Sequence, residues 1–319
     1  MTVRLALLTT ANINRAVLDA RSDDAPFEIV AVGSRDRARA EAYTREHGIA
    51  RAHGSYDELL ADGGVDAVYI ALPNALHHAW TMKALAVGKH VLCEKPYTRR
   101  PEQVDEAWDE AERRGLVVME GYMWRHSPQT RLSVELLPQI GELQAVRATF
   151  TFSLLRDENV RLLADVGGGS LLDVGCYCVS AARLLAGREP DRVYGEAWVG
   201  RGGVDERFAG VLRFGDDLFA TFHSGFTADH QQVEAIGRQG TLVVPTPFVR
   251  PPGIVVLNGE EHRVEPGGAY RAELENFCAA IRGEAKPLLG RDDTRGQART
   301  LDALLRSAAS GAPVSIADN

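Results

Sequence analysis

The sequence predicts a doubly wound α/β domain with a parallel sheet and helices on both faces, followed by an α+β domain built on a largely antiparallel sheet. Three observations predict this. Over residues 1–122, short apolar runs alternate with helical patterns across short polar joints, as in a parallel sheet covered on both sides. From Gly121 onward the pattern becomes β-rich, with turn signals such as Gly215-Asp216-Asp217 and Asn258-Gly259 that pair successive strands antiparallel. A chain of 319 residues is also long for a single core, so the change of texture marks a boundary between a domain at 1–122 and one at 123–319.

In the first domain strands are expected at 3–8, 28–32, 65–72, 89–93 and 116–119, with helices at 15–20, 36–47, 56–61, 75–87 and 101–113. In the second, strands are expected at 144–152, 193–199, 208–214, 218–224, 232–236, 241–244 and 254–257, and helices at 171–185, 270–282 and 294–309. The alternation Ala220-Thr221-Phe222-His223 suits a sheet with one covered face.

Composition narrows the function. A net charge of -8 without any basic run argues against a nucleic-acid surface. The opening Met1-Thr2-Val3-Arg4 turns polar too soon for a signal peptide, and no apolar run reaches membrane-spanning length, so a cytoplasmic protein without membrane contact is expected. Cys93, Cys176, Cys178 and Cys278 lack the spacing of a zinc site or a disulfide framework; they read as small buried hydrophobes, and no metal is expected.

The stretch His90-Val91-Leu92-Cys93-Glu94-Lys95-Pro96 is a buried strand that stops at a charged edge, because Pro96 cannot donate to a sheet ladder. Ligands of open α/β sheets sit at the carboxyl ends of strands. The chain has 36 Lys plus Arg, yet only Lys83, Lys89, Lys95 and Lys286 are lysine. A lysine kept at Lys95 suits a compact ammonium close to a reacting oxygen; the alternative is a strand-end charge that reaches water.

The other strand ends carry further candidates. In the first joint the G-x-G-x-x-G spacing of a dinucleotide loop falls on Thr9, Ala11 and Asn14, none of them glycine. Thr9, Thr10, Ala11, Asn12 and Ile13 can still offer a tight turn and exposed N–H groups, although a β-branched Thr9 resists a positive φ if the turn requires one. On that reasoning Thr9→Gly should leave the fold intact and tighten cofactor binding. After the second strand, Ser34 and Arg35 offer the hydroxyl and guanidinium that suit a 2′-phosphate, which favours NADP over NAD; the alternative is a solvated first helical turn. The third edge, Leu72-Pro73-Asn74-Ala75-Leu76-His77, brings Asn74 and His77 toward the same side, with an N-cap and a surface histidine as the alternatives.

In the second domain, Gly167-Gly168-Gly169-Ser170 leads into Leu171-Leu172-Asp173-Val174-Gly175-Cys176-Tyr177. Asp173 and Tyr177 are four apart and share a helix face. Taken singly, Ser170 with Asp173 reads as a capping box and Tyr177 as core.

The ordered set of Glu94-Lys95-Pro96, the Gly-rich lead into Asp173-x-Gly175-x-Tyr177, the Pro73-Asn74-x-x-His77 joint and the two-domain order resembles the GFO/IDH/MocA oxidoreductase family across essentially the whole chain. The tyrosine in the second motif and the bridge Met123-Trp124-Arg125 are most similar to its dimeric dihydrodiol dehydrogenase and D-xylose dehydrogenase branch. The resemblance implies a Rossmann domain, a substrate domain whose open sheet makes a homodimer or homotetramer, and hydride transfer at a sugar or polyol carbon. It implies NADP held by Thr9 to Ile13, Ser34, Arg35, Leu72, Pro73, Asn74, His77, Glu94, Lys95, Pro96, Trp124 and Arg125, with Lys95, Tyr177 and Asp173 at the chemistry. Thr9 stands where the family has its first loop glycine. The competing expectation is a non-catalytic dinucleotide or sugar sensor on the same scaffold, favoured by Thr9 and opposed by intact Lys95, Asp173 and Tyr177.

Overall fold

The computed structural model describes residues 1–154 and 159–316. Contacts divide the chain into one unit of Met1–His126 with Gly268–Arg295 and another of Ser127–Gly267 with Gly296–Asn319. A single cut after residue 122 therefore differs in two respects. Residues 123–126 group with the first unit, and so does a segment that returns to it more than a hundred residues later.

In the first unit, β1 (Val3–Leu7), β2 (Phe27–Gly33), β3 (Arg51–His53), β4 (Ala67–Ile70), β5 (His90–Glu94) and β6 (Val118–Gly121) form a six-stranded sheet in the order β3-β2-β1-β4-β5-β6. Every neighbouring pair is parallel. All four residues of β4 are buried, as expected of a strand with both faces covered. Helices α1 (Asn14–Asp19), α2 (Arg37–His47), α3 (Tyr56–Leu60), α4 (His77–Ala86) and α5 (Pro101–Arg114) make the crossovers. Local chemistry sets their ends. Asp36 accepts from the Ala38 and Arg39 amides at the start of α2, Pro101 opens α5, and left-handed Gly48 and Gly115 close the two helices.

Among the described residues, the second unit holds α6 (Pro128–Leu136), α7 (Cys176–Ala186) and nine strands: β7 (Leu143–Thr151), β8 (Arg192–Val199), β9 (Asp205–Phe214), β10 (Leu218–Gly225), β11 (His230–Gly237), β12 (Thr241–Pro245), β13 (Ile254–Leu257), β14 (Glu260–Arg263) and β15 (Val314–Ser315). Their order is β14-β13-β12-β11-β7-β10-β9-β8-β15. The pairing is antiparallel except between β7 and β10. The stretch α7 packs on β7, β10 and β11, while Trp198, Val211 and Phe219 remain exposed on β8, β9 and β10. Ala164–Ala186 is apolar enough by composition to cross a membrane, but 83% of that window is buried inside the fold. Two last helices follow, α8 (Ala269–Ile281) in the first unit and α9 (Arg291–Ser310), within which the division between the units falls.

Several expected elements differ. The 75–87 helix divides into a 3-10 turn, Asn74–Leu76, and α4; the 171–185 helix divides into a π-helical turn, Leu171–Gly175, and α7. The short strands β3, β14 and β15 and the helix α6 were not expected. A Ser-Pro signal for α6 was present: Ser127 Oγ accepts from the Thr130 amide, and Pro128 takes the first helical position.

Candidate active site

The strand order of the first unit places β2 and β4 on opposite sides of β1, which makes the carboxyl ends of these strands a topological switch point. Residues 9–13, Ser34, Arg35, Leu72, Pro73, Glu94 and Lys95 all lie at or just beyond that edge.

Lys95 is fixed through its neighbours. Tyr69 Oη donates to Glu94 Oε1 at 2.5 Å, and the Lys95 amide donates to Glu94 Oε2 at 3.2 Å. The Pro96 carbonyl lies 2.9 Å from His77 Nδ1, and the Tyr97 amide donates to Glu120 Oε1 at 2.7 Å. Side chains from β4, α4 and β6 thus hold this strand end in place. Two other lysines of the unit have different tasks: Lys89 Nζ donates to the Asp62 and Val65 carbonyls, and Lys83 pairs with Asp57 and lies over Trp80.

His77 is a buried tie and not a surface residue. It is 1% exposed, and its Nε2 lies 2.8 Å from the Leu72 carbonyl. Burial lowers its pKa from 6.5 against the pull of the two carbonyls, and the Lys95 ammonium lowers it further. Both ring nitrogens face backbone, so His77 shapes the two joints and offers no nitrogen to a cofactor. Asn74 is not an N-cap either: it is the first residue of the 3-10 turn, behind Pro73.

At the first joint the Thr9 carbonyl accepts from Asn14 Nδ2 at 2.6 Å, and the Asn14 amide bonds to the Ala11 carbonyl. Among the described residues, only Thr246, Arg250 and Asn258 are non-glycines with positive φ. Thr9 therefore adopts ordinary backbone, and the turn asks for no glycine at that position. At the second joint Ser34 Oγ accepts from the Asp36 amide, and the Asp36 carboxylate caps α2. Arg35 is exposed and has no hydrogen bond or ion pair. The available acid is turned onto the helix, and the guanidinium is left open.

Trp124 and Arg125 lie in the 3-10 turn Met123–His126; Trp124 is buried, and Arg125 pairs with Asp293 at 3.3 Å. Sequence reading missed Glu273. It is 0% exposed on α8, with neither carboxyl oxygen hydrogen-bonded, and burial followed by the charge of Glu94 pushes its pKa well above the ordinary value.

In the second unit, the glycine turn closes by its own backbone. The Gly168 amide donates to the Leu163 carbonyl and the Gly169 amide to that of Arg161. Gly168 has no room for a side chain, since a Cβ would lie 2.4 Å from the Arg161 carbonyl oxygen. The expected capping box is absent: Ser170 makes no side-chain cap and instead donates to Asp205 Oδ2 at 2.8 Å, while the Leu171 amide reaches the same oxygen at 2.6 Å. Asp205, 34 residues beyond the helix start it holds, was another missed residue. Asp173 accepts from Arg161 Nε at 2.6 Å. The Tyr177 ring is 6% exposed and packs against Phe150 and Phe248, each with centroids 5.4 Å away.

A dinucleotide fold with a framed lysine at the switch point defines an NAD(P)-dependent oxidoreductase. Comparison with known proteins agrees. The family described as "Oxidoreductase family, NAD-binding Rossmann fold" matches residues 8–122, and the GFO/IDH/MocA C-terminal domain matches residues 138–243. The chain belongs to the GFO/IDH/MocA oxidoreductase family. It is 38% identical to D-xylose 1-dehydrogenase (NADP(+)) 2 of Haloferax volcanii, over 97% of this chain and 98% of that protein. It is 29% identical to trans-1,2-dihydrobenzene-1,2-diol dehydrogenase of Xenopus tropicalis, over 88% and 89% of the two chains. Among solved structures, a 3-ketoreductase from Actinomadura kijaniata in complex with NADP and TDP-benzene has a TM-score of 0.90 at 30% identity, covering 96% of this chain and 98% of that one.

Proposed function

We propose that this oxidoreductase uses NADP to interconvert a secondary alcohol and a ketone, or a cyclic hemiacetal and a lactone, on a sugar, polyol or related small molecule. The framing of Lys95 from several elements carries the reading, because it holds an ammonium at a ligand-binding edge at the expense of three side chains. NADP-dependent relatives support the cofactor.

The residues present fit a dinucleotide with a 2′-phosphate. Open Arg35 beside Ser34 supplies a charge-assisted contact, and the Asp36 carboxylate is engaged in capping α2. Thr9 to Ile13 would line the pyrophosphate, with Leu72, Pro73, Asn74, Glu94, Pro96, Trp124 and Arg125 along the remainder of the cofactor. The bound cofactor supplies the hydride acceptor or donor.

The chain's own groups then handle the proton. Tyr177 holds it at the substrate oxygen, a task for which a free phenol with a pKa of about 10 is too weak an acid near neutrality. An ammonium beside a phenol favours the phenolate and lowers that pKa, which is the task this reading gives to Lys95. Asp173, oriented by Arg161, takes a substrate hydroxyl.

The sensor alternative drew on Thr9, and the ordinary φ there takes away the backbone-strain part of that argument. A homodimer or homotetramer through the exposed sheet face, in the cytoplasm, completes the reading. The test is NADPH oxidation or NADP reduction with a panel of D-xylose, D-glucose, scyllo-inositol, a trans-dihydrodiol and their keto forms. Turnover of none of them, with NADP still bound, would overturn the assignment to this substrate class.

A further inference from the structure

Asp205 is 7% exposed at the first position of β9, and its carboxylate grips the turn that starts the Asp173 and Tyr177 helix. Strand alternation alone would not put it there. Buried Phe208 and Gly210 face the helices, whereas Arg207 and Ala209 face outward, so odd-numbered Asp205 should also point outward. A β-bulge reverses this: Trp198 pairs with Arg207 but Val199 with Asp205, leaving Glu206 unpaired. Asp205 then meets Ser170 Oγ, which also lies 3.2 Å from Ser224 Oγ, and the Leu171 amide. Gly169, at φ 115°, leaves no space on the other side: a Cβ there would lie 2.3 Å from Asp205 Oδ1.

We propose that Asp205 is a positioning residue for the reaction, its carboxylate clasping the Ser170–Leu171 turn and thereby setting where Asp173 and Tyr177 stand. The proposal rests on the assignment of Asp173 and Tyr177 given above.

The clasp is pH-sensitive. Burial raises the Asp205 pKa from 3.8 to about 6, against the opposing effect of the Leu171 and Ser170 hydrogen bonds. Protonation replaces charge-assisted bonds with weaker neutral ones and loosens the turn while the carboxyl stays buried, because opening it to water would return its pKa toward 3.8 and the proton opposes that. The stability linkage has the opposite sign. A carboxyl whose folded pKa is raised contributes stability below about 3.8, and that contribution is lost as pH rises through about 6. Activity lost through Asp205 on acidification is therefore not unfolding caused by Asp205.

The neighbouring ionisable groups are distinguishable. On the clasped helix, Asp173 is engaged by Arg161. On β9, Glu206 lies against the Gly200 turn, and Arg207 covers the Trp198 ring. On β10, exposed His223 has its pKa lowered from 6.5 by partial burial and then by Arg207, so it is the rival titrating group on the acid side. Cys176 and Cys178 are buried in the following helix.

The experiment measures kcat against pH for the panel substrate turned over fastest, together with amide exchange of residues 169–177 in the free protein. The unmodified protein should lose kcat as pH falls through about 6 and should show faster exchange in this stretch, after correction for the intrinsic rate. Asp205→Asn should lower kcat about tenfold, leave the KM for NADP unchanged, abolish the acid limb and leave exchange fast at every pH. Ser170→Ala removes a bond that lowers the Asp205 pKa, so the limb should move to higher pH; this variant decides the matter if Asp205→Asn fails to fold. Gly169→Ala should mimic Asp205→Asn, and His223→Gln should leave the limb in place.

The proposal is overturned if Asp205→Asn keeps both its limb and its slow exchange, if Ser170→Ala leaves the limb unmoved, or if the limb disappears in His223→Gln. A fully active Tyr177→Phe combined with a pH-dependent turn would instead remove the assignment of Tyr177 and leave the clasp standing as a fold feature only, which also overturns its role in the reaction.

Discussion

His77 Nδ1 lies 2.9 Å from the carbonyl oxygen of Pro96, which ties the helix after β4 to the peptide immediately following Lys95. The other ring nitrogen faces the Leu72 carbonyl, so one imidazole spans two strand ends. A neutral imidazole carries a single N–H and donates to one of these carbonyls at a time, so His77→Ala would strand one buried carbonyl and should cost about 1–3 kcal/mol in a denaturant titration. The histidine is also held neutral. Because its pKa is lower in the fold than the ordinary 6.5, its contribution is present above that value and is lost as pH falls through the lowered pKa. The mutant should lack this part of the acid-side slope of stability. An equal slope in both proteins would exclude His77 as its source.

Arg35→Ala should weaken NADP selectively. A lost charge-assisted phosphate contact is worth on the order of 1.5–3 kcal/mol, or about tenfold to a hundredfold in Kd, while NAD should scarcely respond. Calorimetric titration of both cofactors measures this. Parallel losses for NADP and NAD would show that Arg35 does not read the 2′-phosphate.

Thr9→Gly now carries the reverse of the expectation drawn from the loop motif. Thr9 has ordinary φ, so glycine relieves no strain and only enlarges the unfolded ensemble. Stability should fall by roughly 0.4–1 kcal/mol, with no tightening of NADP. A clear gain in affinity would restore the idea that this turn requires glycine.

The exposed apolar row Trp198, Val211 and Phe219 is the open face proposed to join subunits. Trp198→Glu with Phe219→Glu should shift the protein to the monomer in sedimentation, and the fold should survive because neither side chain serves the core. Unchanged sedimentation of an oligomeric protein would place the interface elsewhere.

The strand–helix order of the first unit was legible because buried parallel strands are apolar throughout and their breaks fall at Pro73 and Pro96. Lys95 stood out for a similar reason, as a rare residue type at the end of such a strand. What escaped the sequence depended on distance or on broken periodicity. Asp205 reaches the Ser170–Leu171 turn only through a bulge, and a period-two pattern assigns it to the wrong face. Glu273 is an acid on a late helix, and no local pattern says that this helix returns to the first unit and buries it. The presumed cap between Ser170 and Asp173 was a sound local reading overridden by two tertiary partners, Asp205 and Arg161.

Tyr177 and Lys95 provide the test of the proposed proton path. The Tyr177 ring is held by Phe150 and Phe248, so Tyr177→Phe retains that packing and deletes the hydroxyl alone; the melting temperature should move little. Turnover should fall about a hundredfold to ten-thousandfold, the range for a lost general acid–base group. Lys95→Arg keeps the charge on the same framed strand end but replaces a compact ammonium with a wide planar fork, so kcat should drop while NADP still binds. The double variant should be little worse than Tyr177→Phe, because a lysine that acts through the phenol has no remaining task once the hydroxyl is gone. Full additivity would mean that the two side chains serve separate steps. Near-normal turnover in Tyr177→Phe would make the tyrosine part of the aromatic cluster only, and the proton would then have to pass through another group.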